Sequence, residues 1–266
     1  MENFYENAAQ DFLELASEQR LYIIFKLLVQ KSKISAMAKE LGATVQEVHR
    51  NFERLADAGL IKKDKEGYCE LTTYGKTICT QTPSLVFLSK NRKYFETHDF
   101  GDVPMKFIQR IGALTEGQYV KGFVRVLEQW KSIYKNADEY IYEIFYDVPL
   151  DLIEPFVNRG KEGIKLNYIF SESAIVPKGR RQLLQKLGFN KLVERGIVER
   201  KMKKNIQAVV VLNEKEACVM FPTIDGESDM SGMFYSDDHL FHEWCLDYFR
   251  YCWYGSDIFQ ESKLKE

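Results

Sequence analysis

The chain predicts two folds in series: an α+β winged helix-turn-helix at the N-terminus, then an α/β domain with a mixed, partly parallel sheet. Three observations carry this. Lys33 to Gly59 holds a short amphipathic segment, a tight turn and a longer amphipathic segment. Leu60 to Leu71 places two strand-like pieces around the turn sequence Asp64-Lys65-Glu66-Gly67. From Met105 onward, helix-length and strand-length apolar patterns alternate with short loops, the order of an α/β sheet.

Taken in order, a first helix is expected from Ala8 to Val29, broken near Ser17, with Leu21, Ile24, Phe25 and Leu28 on its apolar side. Ser35 is the expected cap of a short helix burying Met37, Ala38 and Leu41, which Gly42 ends in a left-handed conformation. Thr44 and Glu47 form a Thr-x-x-Glu capping box for the next helix. That helix sets Val45, Val48, Phe52 and Leu55 on one face at spacings of three and four. Its other face carries Gln46, His49, Arg50 and Glu53, with Asn51 and Arg54 at the flanks. A further helix over Leu71 to Ile78 closes a domain at 1–81.

A connector with its own helix and loop follows at 82–104, and an effector-sensing or dimerisation domain at 105–266. Within the latter, helices are expected at Met105 to Leu114, Gln118 to Tyr134, Leu150 to Arg159, Pro177 to Glu194 and Asp237 to Tyr254. Strands are expected at Glu139 to Tyr146, Ile164 to Phe170, Ile197 to Met202, Ile206 to Leu212, Ala217 to Phe221 and Gly232 to Tyr235.

A short helix, a turn and a second helix with a polar outer face form a common DNA-reading unit. Lys62, Lys63 and Lys65 then sit where a wing tip meets phosphates. The formal net charge is −2, so this is no general polycation. The first 80 residues hold eleven Lys and Arg against twelve Asp and Glu. Because the phosphate term scales with the basic contacts made, a near-neutral reader needs a local patch and a second copy.

No stretch approaches the roughly 18 apolar residues of a membrane span, and Met1 to Phe4 begins no signal peptide. The five cysteines (69, 79, 218, 245 and 252) include no Cys-x-x-Cys pair. A cytoplasmic protein with reduced thiols is expected, without a cofactor and without a membrane partner.

Ser17 to Phe25, the helix pair, Arg54 to Ile61 and Leu71 to Gly75 combine with Asn91 to Asp99, Val103-Pro104, Gly163 to Ile169 and Trp244 to Phe249. In these segments the chain resembles archaeal transcription regulators of the TrmB-like and methanogenesis-regulator-like group. Those proteins join an ArsR-type winged helix to a phospholipase-D-like effector domain that lacks the nuclease motif. The resemblance implies a homodimer that binds double-stranded DNA by sequence and a C-terminal domain that senses a small-molecule effector. It places Thr44, Gln46, His49, Arg50 and Arg54 on the recognition helix and Lys62, Lys63 and Lys65 on the wing. Gln46 would read adenine and Arg50 guanine, with Arg54 and the wing lysines on phosphates. Glu47 and Glu53 bring negative charge to or near that face. The alternative is a winged-helix interaction module of the transcription machinery with no operator of its own.

An enzyme is not expected. Phospholipase-D chemistry needs His-x-Lys, and no histidine here has lysine at the second following position. His239 and His242 share a helix face beside Asp238 and Cys245, a metal-ligand pattern. Ser236-Asp237-Asp238 reads equally well as a helix cap, and no metal is expected. An effector cavity is expected where strands end near Tyr146-Asp147 and Phe170 to Glu172, lined by Tyr142, Tyr168, Trp244 and Trp253. For most of these aromatics, a place in the core is the better reading.

Overall fold

The structure, a computed structural model, describes residues 4–146, 149–172, 174 and 176–264. The chain divides into two compact units, Met1–Pro83 and Ser84–Glu266. No helix among the described residues is long and apolar enough to cross a membrane.

In the first unit, helices α1 (Phe4–Leu15) and α2 (Glu18–Val29) precede α3 (Ile34–Leu41) and α4 (Val45–Asp57). Strands β1 (Ile61–Lys63) and β2 (Cys69–Leu71) form an antiparallel hairpin, with Ile61 opposite Leu71 and Lys63 opposite Cys69. The core joins Ile23, Ile24 and Leu27 of α2, Met37 and Ala38 of α3, and Val48, Phe52 and Leu55 of α4 to Leu60, Ile61 and Leu71. Gly42 ends α3 at φ 62°, the left-handed turn that a glycine enters without steric cost.

Three local expectations fail here. Leu28, expected on the apolar side of the first helix, is 47% exposed, and Leu27 takes the buried position. Helix α3 begins one residue before Ser35, with Lys33 in the capping position and no side-chain cap. Val45 is 55% exposed, because as the first residue of α4 it precedes the turn that packs inward.

Helix α5 (Thr73–Lys90) runs through Pro83 without interruption, where two separate helices were expected. Proline inside a helix removes one N–H and crowds the preceding turn, yet this helix continues across it. The division between the units falls within α5, and residues 84–104 belong with the second unit.

The second unit is built on an eight-stranded mixed sheet. Its strands, in chain order, are β3 (Gln118–Lys121), β4 (Tyr140–Phe145), β5 (Lys165–Ser171), β6 (Val198–Lys203), β7 (Val209–Leu212), β8 (Ala217–Met220), β9 (Gly232–Ser236) and β10 (Asp257–Ile258). The spatial order is β10-β6-β5-β4-β7-β8-β9-β3. Strands β4, β5 and β6 are parallel, joined through helices; the other pairings are antiparallel.

Period-two alternation sends side chains to opposite faces of the sheet. On one face, Leu166, Tyr168, Phe170, Val211 and Cys218 pack with α7 (Phe123–Asn136), α8 (Leu150–Lys161) and α10 (Phe189–Glu194), beside α9 (Arg180–Lys186). On the other, Ile144, Ile169, Val210, Leu212 and Val219 pack with α11 (His239–Tyr254) and with Phe107 of α6 (Met105–Ile108).

Three expected helices are shorter or broken. Gln118 to Tyr134 splits into β3 and α7 at Gly122, whose φ is 107°. Met105 to Leu114 is α6 followed by a 3-10 turn at Ile111–Leu114. Pro177 to Glu194 becomes α9 and α10, parted at Gly188 with φ 71°. Both interrupting glycines take backbone angles that other residues adopt only at a cost.

Candidate nucleic-acid interface

Thr44 caps α4 by accepting the Glu47 N–H at 3.2 Å. The reciprocal half of the expected capping box is replaced. Gln19 of α2 donates to Glu47 Oε1 at 2.8 Å and accepts from Asn51 at 2.7 Å. Glu47 and Asn51 are thereby tied to the helix behind α4.

Arg54 is tied too. Its guanidinium makes a bidentate pair with Glu14 of α1, at 2.8 and 2.7 Å. Glu14 is only 4% exposed and is also paired with Arg20 at 3.4 Å. The hydrogen bonds from Arg54, helped by the charges of Arg20 and Arg54, hold the Glu14 carboxyl below the usual carboxylate range despite its burial. Arg54, expected to meet phosphates, is engaged by Glu14 toward the end of α4, with its side chain 49% exposed.

The outward face holds Gln46, His49, Arg50 and Glu53. His49 Nδ1 lies 3.3 Å from Glu53 Oε2, one turn along, so Glu53 is directed at a neighbour on its own helix. Gln46 and Arg50 are exposed and have no side-chain partner among the described residues.

Beside α4, the hairpin carries Lys62, Lys63 and Lys65, all exposed. Lys62 pairs across the strands with Glu70 at 3.1 Å, leaving Lys63 and Lys65 unpaired. Asp64 closes the turn by accepting the N–H groups of Glu66 and Tyr68 at 2.9 and 2.8 Å. A cleft of about 160 Å³ between α4 and the hairpin is lined by His49, Glu53, Lys62 and Lys63.

Two lysines escaped sequence reasoning. Ser32 bridges to Cys69, with N–H to carbonyl bonds of 3.1 and 2.8 Å in the two directions. This lays the segment before α3 against the hairpin as a rudimentary third strand. Lys31 and Lys33 flank it, with ammonium groups 4.8 and 4.7 Å from the centre of the Tyr68 ring, a favourable cation–ring geometry. Lys31 also pairs with Asp64 at 3.1 Å. The available signal was the Lys-Ser-Lys alternation just ahead of α3.

The other expected sites are placed as follows. His242 Nε2 is 2.6 Å from the Asn213 carbonyl oxygen, and His239 is exposed. Asp238 caps α11, accepting from Leu240 and Phe241 N–H at 3.0 Å each. Among the described residues no group of three His, Cys, Asp or Glu is arranged to hold a metal ion. All five cysteines are unpaired and buried.

Of the four aromatics expected to line one cavity, three lie elsewhere. Trp244 is buried on the α11 face and donates to Phe107 O at 3.0 Å, while Tyr142 and Trp253 stack on Phe249. Tyr168 alone faces the α7–α10 layer and lines a cavity there. Asp147 lies outside the described residues.

No family model matches the chain, and no curated protein does. Solved structures similar to it include TrmBL2, an archaeal chromatin protein, at 11% identity and a TM-score of 0.43, covering 91% of this chain and 94% of that one. NucT from Helicobacter pylori is similar at 13% identity and a TM-score of 0.42, over 54% of this chain and 99% of that one. Nuc from Salmonella typhimurium, a phospholipase D family member, is similar at 12% identity and a TM-score of 0.41, over 55% of this chain and 100% of that one.

Proposed function

We propose that the chain is a sequence-specific transcription regulator that binds double-stranded DNA as a homodimer. In this reading the first unit is a winged helix-turn-helix, with α4 as recognition helix and the β1–β2 hairpin as wing. The second unit is a phospholipase-D-like domain without catalytic function that senses a small-molecule effector.

The observation that carries the reading is the division of labour on α4. Glu47, Asn51 and Arg54 are bound to the helices behind it, while Gln46 and Arg50 are left unengaged beside two unpaired lysines. Bidentate geometry suits Gln46 to adenine and Arg50 to guanine. Lys63 and Lys65, with Lys33 beside them, supply the phosphate contacts that fix register. Arg54 is reassigned from phosphate contact to holding α4 in place. The near-neutral first unit makes two copies necessary for tight binding.

The test is binding to fragments selected from random duplex DNA, followed by substitution. Arg50→Ala is expected to lose about 1–3 kcal/mol of discrimination at one base pair. Lys63→Ala is expected to weaken all duplexes about equally and to reduce the salt slope by about one. If the purified protein binds no duplex at low salt, the regulator reading fails and a protein-interaction module takes its place.

A further inference from the structure

Tyr168 of β5 and Arg200 of β6 are register partners in the sheet of the second unit. Arg180, the first residue of α9, and Arg200 both donate to the carboxylate of Glu261, in the 3-10 turn Glu261–Lys263. The two bonds, 3.1 and 3.3 Å long, go to different oxygens. Aromatic rings back both guanidinium groups: Arg180 lies 5.5 Å from the centre of the Phe170 ring and Arg200 4.3 Å from that of Phe259. Such contacts suit a planar cation and hold it in place. Tyr168 is 3% exposed, and its hydroxyl, beside Arg180, Arg200 and Glu261, makes no hydrogen bond. Two fixed cations and an unsatisfied phenol thus converge on a single carboxylate.

We propose that Arg180, Arg200 and Tyr168 form a binding site for a small phosphate monoester, and that Glu261 occupies it in this structure as an internal substitute that the ligand displaces. Two guanidinium groups against one carboxylate leave a surplus positive charge. A dianionic phosphate cancels it and a carboxylate does not. Each guanidinium gives Glu261 one hydrogen bond. The several oxygens of a phosphate can meet both guanidinium forks in bidentate fashion and still accept from the Tyr168 hydroxyl. A free carboxylate only repeats what Glu261 offers, and Glu261 is tethered, hence present at high effective concentration. The inference rests on the effector part of the function proposed above and names the chemistry of that effector.

Only a short segment has to yield. The Glu261 side chain is 39% exposed and belongs to a turn of three residues. That turn is held by Lys263, paired with Glu172 at 2.6 Å, and by the Gln260 N–H, which donates to Met202 Sδ at 3.1 Å. The cavity that Tyr168 and Arg180 line, about 30 Å³, takes a water-sized group at most. The body of the ligand therefore lies on the outer side, where Glu261 now stands. Glu143, on the wall of the same cavity, accepts from the Trp130 indole and the Tyr134 hydroxyl.

The experiment is calorimetric titration of the full chain with inorganic phosphate and glycerol 3-phosphate, against acetate and glycerol. Ionic strength is constant and the pH about 8, where a phosphate monoester is a dianion. The expected result is binding of both phosphates and of neither acetate nor glycerol. Glu261→Gln, whose neutral amide competes less, should bind glycerol 3-phosphate at least threefold more tightly than the native chain. Arg200→Gln should lose at least tenfold and Tyr168→Phe less than that. Thermal unfolding of each variant with and without phosphate tells misfolding apart from lost binding. A purely structural ion cluster gives a different pattern: Glu261→Gln loses stability and gains no affinity. That pattern, acetate bound as tightly as phosphate, or unchanged affinity in a folded Arg200→Gln overturns the proposal. A chain that binds duplex but no phosphate refutes only this inference; one that binds phosphate but no duplex refutes only the DNA reading.

Discussion

Replacing Glu143 by Gln removes a charge from the interior of the second unit and keeps the shape of the side chain. The amide oxygen still accepts from Trp130 and Tyr134, the two donors that hold Oε1 now. What changes is the proton balance. Burial raises the Glu143 carboxyl from its ordinary 4.5 to about 7. An acid whose folded value is raised gives stability that is fully present below its unfolded value and is lost as pH rises through its folded value. At about 1.4 kcal/mol per pH unit, most of the loss falls between pH 4.5 and about 7. Over that interval it amounts to about 3.5 kcal/mol on linkage grounds. A carboxamide at this position cannot titrate, so the variant should lack this decline and exceed the native protein in stability at pH 8. Urea unfolding followed by tryptophan fluorescence reads this directly, because Trp130, Trp244 and Trp253 all lie in the second unit. Parallel pH profiles for the two proteins would refute the assignment of a neutral-range carboxyl to this position.

Two further outcomes concern the first unit. A Cβ on Gly75 would stand 2.0 Å from the Leu60 carbonyl oxygen, so Gly75→Ala is expected to cost about 1–3 kcal/mol through backbone displacement. Hydrogen exchange of α4 amides measures it, and unchanged protection would contradict the close approach. Glu14→Gln leaves Arg20 and Arg54 without their carboxylate, and the half-exposed Arg54 lessens the penalty. A cost of about 2–3 kcal/mol is expected at pH 7. Since the Glu14 carboxyl is held below its ordinary value, its contribution is present above about pH 4.5 and lost as pH falls further. The gap between native and variant should narrow as pH falls below about 4.5; a constant gap would show that the pair does not act through charge.

Periodicity carried the parts of the fold that depend on local pattern. The buried face of α4 at Val48, Phe52 and Leu55 follows from spacing alone, as does the Thr44 cap. Strand β3 was hidden because Gln118–Lys121 runs into an amphipathic helix and pairs with residues more than a hundred positions away, Gln118 opposite Tyr235. Its only local mark was Gly117 and Gly122 on either side. The same limit applied to the interface. Composition identifies cations on and near α4, but which are spent depends on partners such as Glu14, forty residues from Arg54. In the second unit, helical spacing on α11 could not say which sheet face that helix covers. Trp244 and Tyr168 were therefore grouped although they lie on opposite sides.

The polar ties behind α4 have a consequence for how this surface can change over generations. The Gln19 bonds to Glu47 in its first turn and Asn51 at its middle, and the Glu14 pair with Arg54 toward its end, fix the axial rotation of the helix together with its apolar side. Positions 46 and 50 contribute no bond to that arrangement. A lineage could exchange both residues many times without weakening the fold that displays them, so that face is free to diverge much faster than its scaffold.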